Sequence, residues 1–297
     1  MRGRGRVRER GSVLGIDVGY STRRKTTGFC GLAWDARAVR WTCHNAGRDE
    51  PDRRDVLRRV LPDREVELSA VAIDGPLLPR LDPTPRYRCA ESLLSRGAFA
   101  RRGKPGPTNG GSGRDLHAHA TRLANFVLRE CRVRPAAHVP AIHARAIVEA
   151  FPNLFLGVLC DEADYPRAAR RRRKWTDTLY NWPPGDPVIP RKLRRLVESL
   201  APRRAIDGEF CLDDHEEVAS FVCALTALSV VANRFVAVGC DRDGCIVLSL
   251  RELWGRGAPS SVPWAERELR ANLARVAADF PHCEPAIYED GDRWSLA

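Results

Sequence analysis

Acidic residues stand where the apolar segments of this chain stop. Val13-Leu14-Gly15-Ile16 runs into Asp17, Ala70-Val71-Ala72-Ile73 into Asp74, and Ala146-Ile147-Val148 into Glu149. Asp214 opens a long apolar stretch. Short apolar runs bounded by turn residues read as buried strands. In an open α/β sheet, ligands bind outside the carboxyl ends of the strands. Carboxylates gathered there repel one another unless a cation lies between them, and hard oxygen donors suit Mg²⁺ or Mn²⁺. Asp17, Asp74, Glu149 and Asp214 are therefore the expected metal ligands and catalytic groups of a metal-dependent phosphoryl-transfer site.

The order of elements supports that placement. Residues 13–17 form an expected first strand, and 28–34 and 39–45 two more, joined by a turn at Asp35-Ala36-Arg37. Residues 53–61 read as a short amphipathic helix, with Val56, Leu57, Val60 and Leu61 on one face. A strand at 71–74 is stopped by Gly75-Pro76. The result is a β-β-β-α-β order, whose helical crossover sets the fourth strand parallel to the first. Residues 80–113, rich in Pro, Gly and Arg, read as a long loop. Helices are expected at 116–128 and 191–200, and a strand at 146–151. The strongest helix spans 214–231, where Val218, Phe221, Val222, Leu225 and Leu228 make an apolar stripe that also carries Asp214. That stripe predicts Asp214 turned towards the sheet. A hairpin (236–238 and 246–250) and a last helix (263–278) complete the chain. No linker is visible, so one elaborated α/β domain over 13–297 is expected, preceded by a disordered basic arm at 1–12.

The formal net charge is +11 with a pI near 9.5, which favours a polyanionic partner such as nucleic acid. Nearly all of the positive charge is arginine, Lys25, Lys104, Lys174 and Lys192 being the only lysines. Arg170 to Arg173 followed by Trp175 suit backbone contact with base stacking, and Lys104 lies in the long loop. Lys104, Arg171, Arg172 and Trp175 are the expected substrate contacts; a solvated charged face is the plainer reading of the same run. No stretch approaches the roughly 20 apolar residues of a membrane span. The N-terminus lacks the apolar core of a secretory signal. Ten cysteines without a C-x-x-C pattern point to reduced, core-filling thiols and a cytoplasmic protein. Cys240 and Cys245 flank an expected hairpin turn, with no second pair at a zinc-site spacing.

Phosphodiester hydrolysis needs an activated water and a stabilised leaving oxygen, which two divalent ions about 4 Å apart can supply. Each acidic position also has a structural reading. Asp17-Val18-Gly19 and Asp74-Gly75-Pro76 have turn composition, and Asp214 to Glu217 reads as a capping box. Glu149 is the hardest to dismiss, because a buried carboxylate needs partners.

Several fragments resemble one family. Gly15-Ile16-Asp17-Val18-Gly19, Ala72-Ile73-Asp74-Gly75-Pro76-Leu77 and Ile147-Val148-Glu149-Ala150-Phe151-Pro152 look like its acidic motifs. Asp213-Asp214-His215-Glu216 running into Val222-Cys223-Ala224-Leu225-Thr226-Ala227 looks like its fourth. Arg102-Gly103-Lys104-Pro105-Gly106 also matches. The family is an uncharacterised one of predicted nucleases with an RNase H-like fold. The resemblance implies a mixed RNase H-like sheet flanked by helices and a divalent-metal carboxylate site. It departs at Ala219, where many relatives carry an aspartate, which shifts the fourth ligand role to Asp214. Two other readings stay open: a non-catalytic nucleic-acid-binding module, which Ala219 favours, and an actin-like kinase or ATPase. The second rests on Asp17-Val18-Gly19-Tyr20-Ser21-Thr22, which resembles the first phosphate loop of that superfamily.

Overall fold

The computed structural model describes residues 7–61, 63, 66–77, 87–137, 140–141, 144–166, 174–183, 185–186, 188–257, 262–281 and 283–294. Its centre is the expected β-β-β-α-β unit: β1 (Gly11–Asp17), β2 (Thr27–Trp34), β3 (Ala38–Ala46), α1 (Glu50–Val60) and β4 (Ala70–Asp74). β1 pairs antiparallel with β2 and parallel with β4, in a register that sets Asp17 beside Asp74. The sheet continues through β5 (Ile147–Ala150), parallel to β4, and β8 (Gly244–Leu248), parallel to β5. β7 (Val236–Cys240) forms the expected hairpin with β8 and pairs on its other side with β9 (Ala286–Glu289). β6 (Ala205–Asp207) and β10 (Asp292–Arg293) close the two edges of this mixed ten-stranded sheet. The chain is thus an α/β protein.

Strand alternation divides the apolar residues between the two faces. Leu14, Ile16, Val71, Ile73 and Ile147 meet α1 and α3 (Gly111–Glu130) in one core. Val13, Ala70, Ala72, Val148 and Ala150 meet a second core. Its helices include α4 (Pro152–Gly157), α5 (Trp175–Tyr180), α6 (Val188–Leu200) and α7 (His215–Val231). A third core joins β7 and β8 to α2 (Cys89–Leu93) and α8 (Trp264–Ala277).

α7 lies almost on the backbone of β1 and β2. A Cβ at Gly15 would stand 2.1 Å from the Ala224 amide nitrogen, and one at Gly28 would stand 2.2 Å from the Glu216 carbonyl oxygen. Glycine at these two positions lets the helix N-terminus descend onto the carboxyl end of β1.

Three expectations change. The N-terminal boundary moves: Gly11 and Ser12 belong to β1, Val7 is buried, and Trp34 Nε1 donates to the Arg8 carbonyl at 2.9 Å; residues 1–6 lie outside the described residues. The described part of 80–113 is not simply a loop, since it holds buried α2 and a 3₁₀ turn at Gly97–Arg101. α3 begins earlier than the apolar stripe suggested, at Gly111.

Candidate functional site

β1 and β4 end side by side on Asp17 and Asp74, and both residues fall on the α7 face of the sheet. Asp17 is 8% exposed and Asp74 somewhat more open. The two carboxyl groups act directly on each other. Loss of water pushes Asp17 up to about 6, with His215 and Lys174 pulling the other way. The same desolvation, and then the Asp17 charge, push Asp74 well above the ordinary carboxylate range. Without a cation, this pair keeps a proton between its members. Like charges at this distance cannot both ionise cheaply.

A pH dependence follows for metal-free protein. The ordinary aspartate value is 3.8 and the folded value about 6. Between these the folded state binds more protons than the unfolded chain, so stability falls as pH rises through this window. Urea denaturation in chelator at pH 4 to 7 should show this slope in wild type and a flatter one in Asp17→Asn. Equal slopes would contradict the shared-proton arrangement.

Three residues outside the expected site set act on Asp17 by charge. His215 opens α7, and its Nδ1 lies 2.7 Å from Asp177 Oδ1 on α5. Glu216 follows it and lies 3.8 Å from Lys174 Nζ. His215, Lys174 and Glu216 are the charged neighbours that act most strongly on Asp17. Lys174 is itself 63% exposed at its side chain, so its ammonium remains open to solvent.

Glu149 and Asp214 are held by other partners, although Glu149 still acts on Asp74 by its charge and lines one cavity with it. In the register, Asp74 lies opposite Ala150, while Glu149 lies opposite Ile73. Alternation therefore sends Glu149 to the α1–α3 side, away from the face of Asp17 and Asp74. There Arg88, 3% exposed, grips both its oxygens, Nη1 to Oε2 at 2.9 Å and Nη2 to Oε1 at 2.5 Å. Burial raises the Glu149 carboxyl, and Arg88 offsets this only in part. Arg88 Nε also donates to Glu91 Oε1 at 2.9 Å. Asp214 is exposed and caps α7: its Oδ1 accepts from the Glu217 amide at 3.1 Å and from Asn45 Nδ2 at 2.9 Å. Asp214 therefore meets the sheet at Asn45, near the end of β3, while capping its own helix.

Beside Glu149 opens a cavity of about 180 Å³, lined among others by Asp74, Glu91, Thr108 and Leu116. The segment bearing Lys104 forms one wall through Pro105, Gly106 and Pro107, and Lys104 itself is exposed. Trp175 is not an open stacking platform, because it is half-buried against Tyr165 with ring centroids 6.2 Å apart. Arg171 and Arg172 lie outside the described residues.

Comparison with family models, with curated proteins and with solved structures returned no match. Among the described residues no helix is long and apolar enough to cross a membrane.

Proposed function

We propose that this chain is a divalent-metal-dependent phosphodiester hydrolase acting on nucleic acid, built on an RNase H-like core. The observation that carries the reading is the pairing of Asp17 with Asp74 at the ends of adjacent parallel strands. Their donor set is hard oxygen, and the pair otherwise has to hold a proton, so it fits Mg²⁺ or Mn²⁺. Asp17 and Asp74 would hold the ion, with Glu216 and Glu149 the further carboxylates whose charges act on the pair. When bound, such an ion polarises a phosphoryl oxygen and generates hydroxide near neutral pH. The remaining roles fall to the chain itself. Lys174 offers a positive contact for a non-bridging phosphate oxygen. Asp177 holds His215 by Nδ1, which orients the imidazole and leaves Nε2 to carry a proton to or from the reacting group. The excess of arginine supplies a general attraction for the backbone.

The lock on Glu149 favours a second reading, in which the fold binds nucleic acid without cutting it. One experiment separates the two. End-labelled single-stranded DNA, duplex DNA, RNA and hybrid are incubated with the protein in Mg²⁺, Mn²⁺ or chelator. Cleavage of any substrate that stops in chelator supports hydrolysis. Salt-sensitive binding indifferent to chelator, with no product, would replace it with the binding module.

A further inference from the structure

On the far side of the sheet's parallel centre, four side chains converge from distant parts of the chain. Cys240 ends β7, Asp243 sits in the turn before β8, Cys89 opens α2, and Cys283 lies between α8 and β9. The Sγ atoms of Cys89, Cys240 and Cys283 and a carboxylate oxygen of Asp243 all lie within 4.8 Å of one another. Cys89 and Cys240 are fully buried and the other two half-buried. Cys240 and Cys283 are joined as a disulfide, which overturns the expectation that every cysteine is a free thiol.

A disulfide accounts for two of these groups, and the Cys89 thiol and the Asp243 carboxylate stand beside it. Asp243 turns inward on the sulfurs: its Oδ1 lies 3.2 Å from Cys240 Sγ, while its Oδ2 accepts from the Cys89 amide at 2.6 Å. The amide bond fixes the carboxylate as an outer-sphere contact fixes a metal ligand. Among the described residues the other eight cysteines form no disulfide, a pattern that suits a reducing environment. A thiol reductant that opens the Cys240–Cys283 bond would make these two thiols as well. We propose that the reduced chain binds a structural Zn²⁺ through Cys89, Cys240, Cys283 and Asp243. Tetrahedral zinc with S at about 2.3 Å and O at about 2.0–2.2 Å needs donor atoms roughly 3.5–3.8 Å apart. The four donor atoms already lie within 4.8 Å of one another, and zinc would draw them to that spacing once the two bonded sulfurs separate. Three thiolates with one carboxylate suit zinc rather than the Mg²⁺ or Mn²⁺ of the carboxylate pair. The ion would fasten α2, the hairpin tip and the α8–β9 connection to one another. Because Arg88 directly precedes Cys89 and donates to the Asp243 carbonyl at 3.0 Å, it would also hold Arg88 against Glu149.

The test uses the full chain, purified in reductant from zinc-supplemented cells and freed of loose metal. Elemental analysis should find stoichiometric zinc, and Co²⁺ exchanged into the protein should show thiolate charge-transfer and tetrahedral d–d bands. Cys89→Ser and Cys283→Ser should each weaken metal retention at least about tenfold. Cys245→Ser, which removes a neighbouring buried thiol outside the set, should retain it. Should the serine variants fail to fold, maleimide labelling of wild type decides: zinc should shield Cys89, Cys240 and Cys283, and chelator should expose them. Zinc-free wild-type protein carrying the Cys240–Cys283 disulfide after reductive purification would overturn the proposal, as would cobalt lacking thiolate bands.

Discussion

Asp17→Asn is expected to slow divalent-dependent strand cleavage by about 10²- to 10⁴-fold, because it removes one anchor of the ion and several kcal/mol of charge stabilisation with it. The fold should survive. Asn is nearly isosteric, and it relieves a buried acid pair that already has to retain a proton near neutral pH. Stability at pH 7 in chelator should therefore equal or exceed that of wild type. This combination, activity lost and stability kept, separates a chemical role from a structural one. Asp214→Asn serves as the contrast. Asp214 caps α7 and accepts from Asn45, and Asn, which keeps a side-chain oxygen, caps about as well as Asp, so cleavage should stay within a fewfold of wild type. A loss equal to that of Asp17→Asn would restore Asp214 to the site and overturn its role as a helix cap alone.

Arg88→Met should carry the largest stability cost. Arg88 is buried and is the counter-charge for two buried carboxylates, Glu149 and Glu91, each 3% exposed or less. Removing one partner of a buried ion pair costs about 3–5 kcal/mol, since the orphaned charge cannot reach water. The size of the effect depends on pH in a definite direction. A carboxylate left without Arg88 is stabilised by protonation, so the deficit should shrink from pH 8 to pH 5. Adding Glu149→Gln and Glu91→Gln to Arg88→Met should recover much of the loss. Urea midpoints for the single and triple variants measure both effects. A cost below about 1 kcal/mol for Arg88→Met would mean that the network is not held as the structure places it.

The strand core was legible because its signal is short-range. Apolar runs ending at Asp17 and Asp74, and an amphipathic helix between them, give the order of strands, and handed crossovers do the rest. Glu149 was placed in the right strand but on the wrong face. The run containing it ends one residue later, at Ala150, and in a pleated strand one residue reverses the side chain. For α7 the difficulty is different. Every residue from Val218 to Val230 is buried, so an apolar stripe does not mark its inner face. The close approach of Gly15 and Gly28 does mark it, through Ser220, Ala224 and Glu216. Counting back one turn from Ser220 along that face reaches Glu216 rather than Asp214. α2 escaped notice because its five residues sit within an Arg- and Pro-rich stretch. The cysteine cluster draws on positions from Cys89 to Cys283, and no spacing rule reaches across that distance; only the folded sheet brings them together.

Whether Asp17 and Asp74 form a divalent-cation site is tested most directly by calorimetric titration with Mn²⁺. The wild-type protein at pH 7.5, in reductant and free of chelator, should bind Mn²⁺ and release protons as it does so, because the acid pair gives up the proton it holds. Asp17→Asn should lose that binding and that proton release. A wild-type protein that takes up no Mn²⁺, or a variant that binds as well as wild type, would contradict a cation site at this pair.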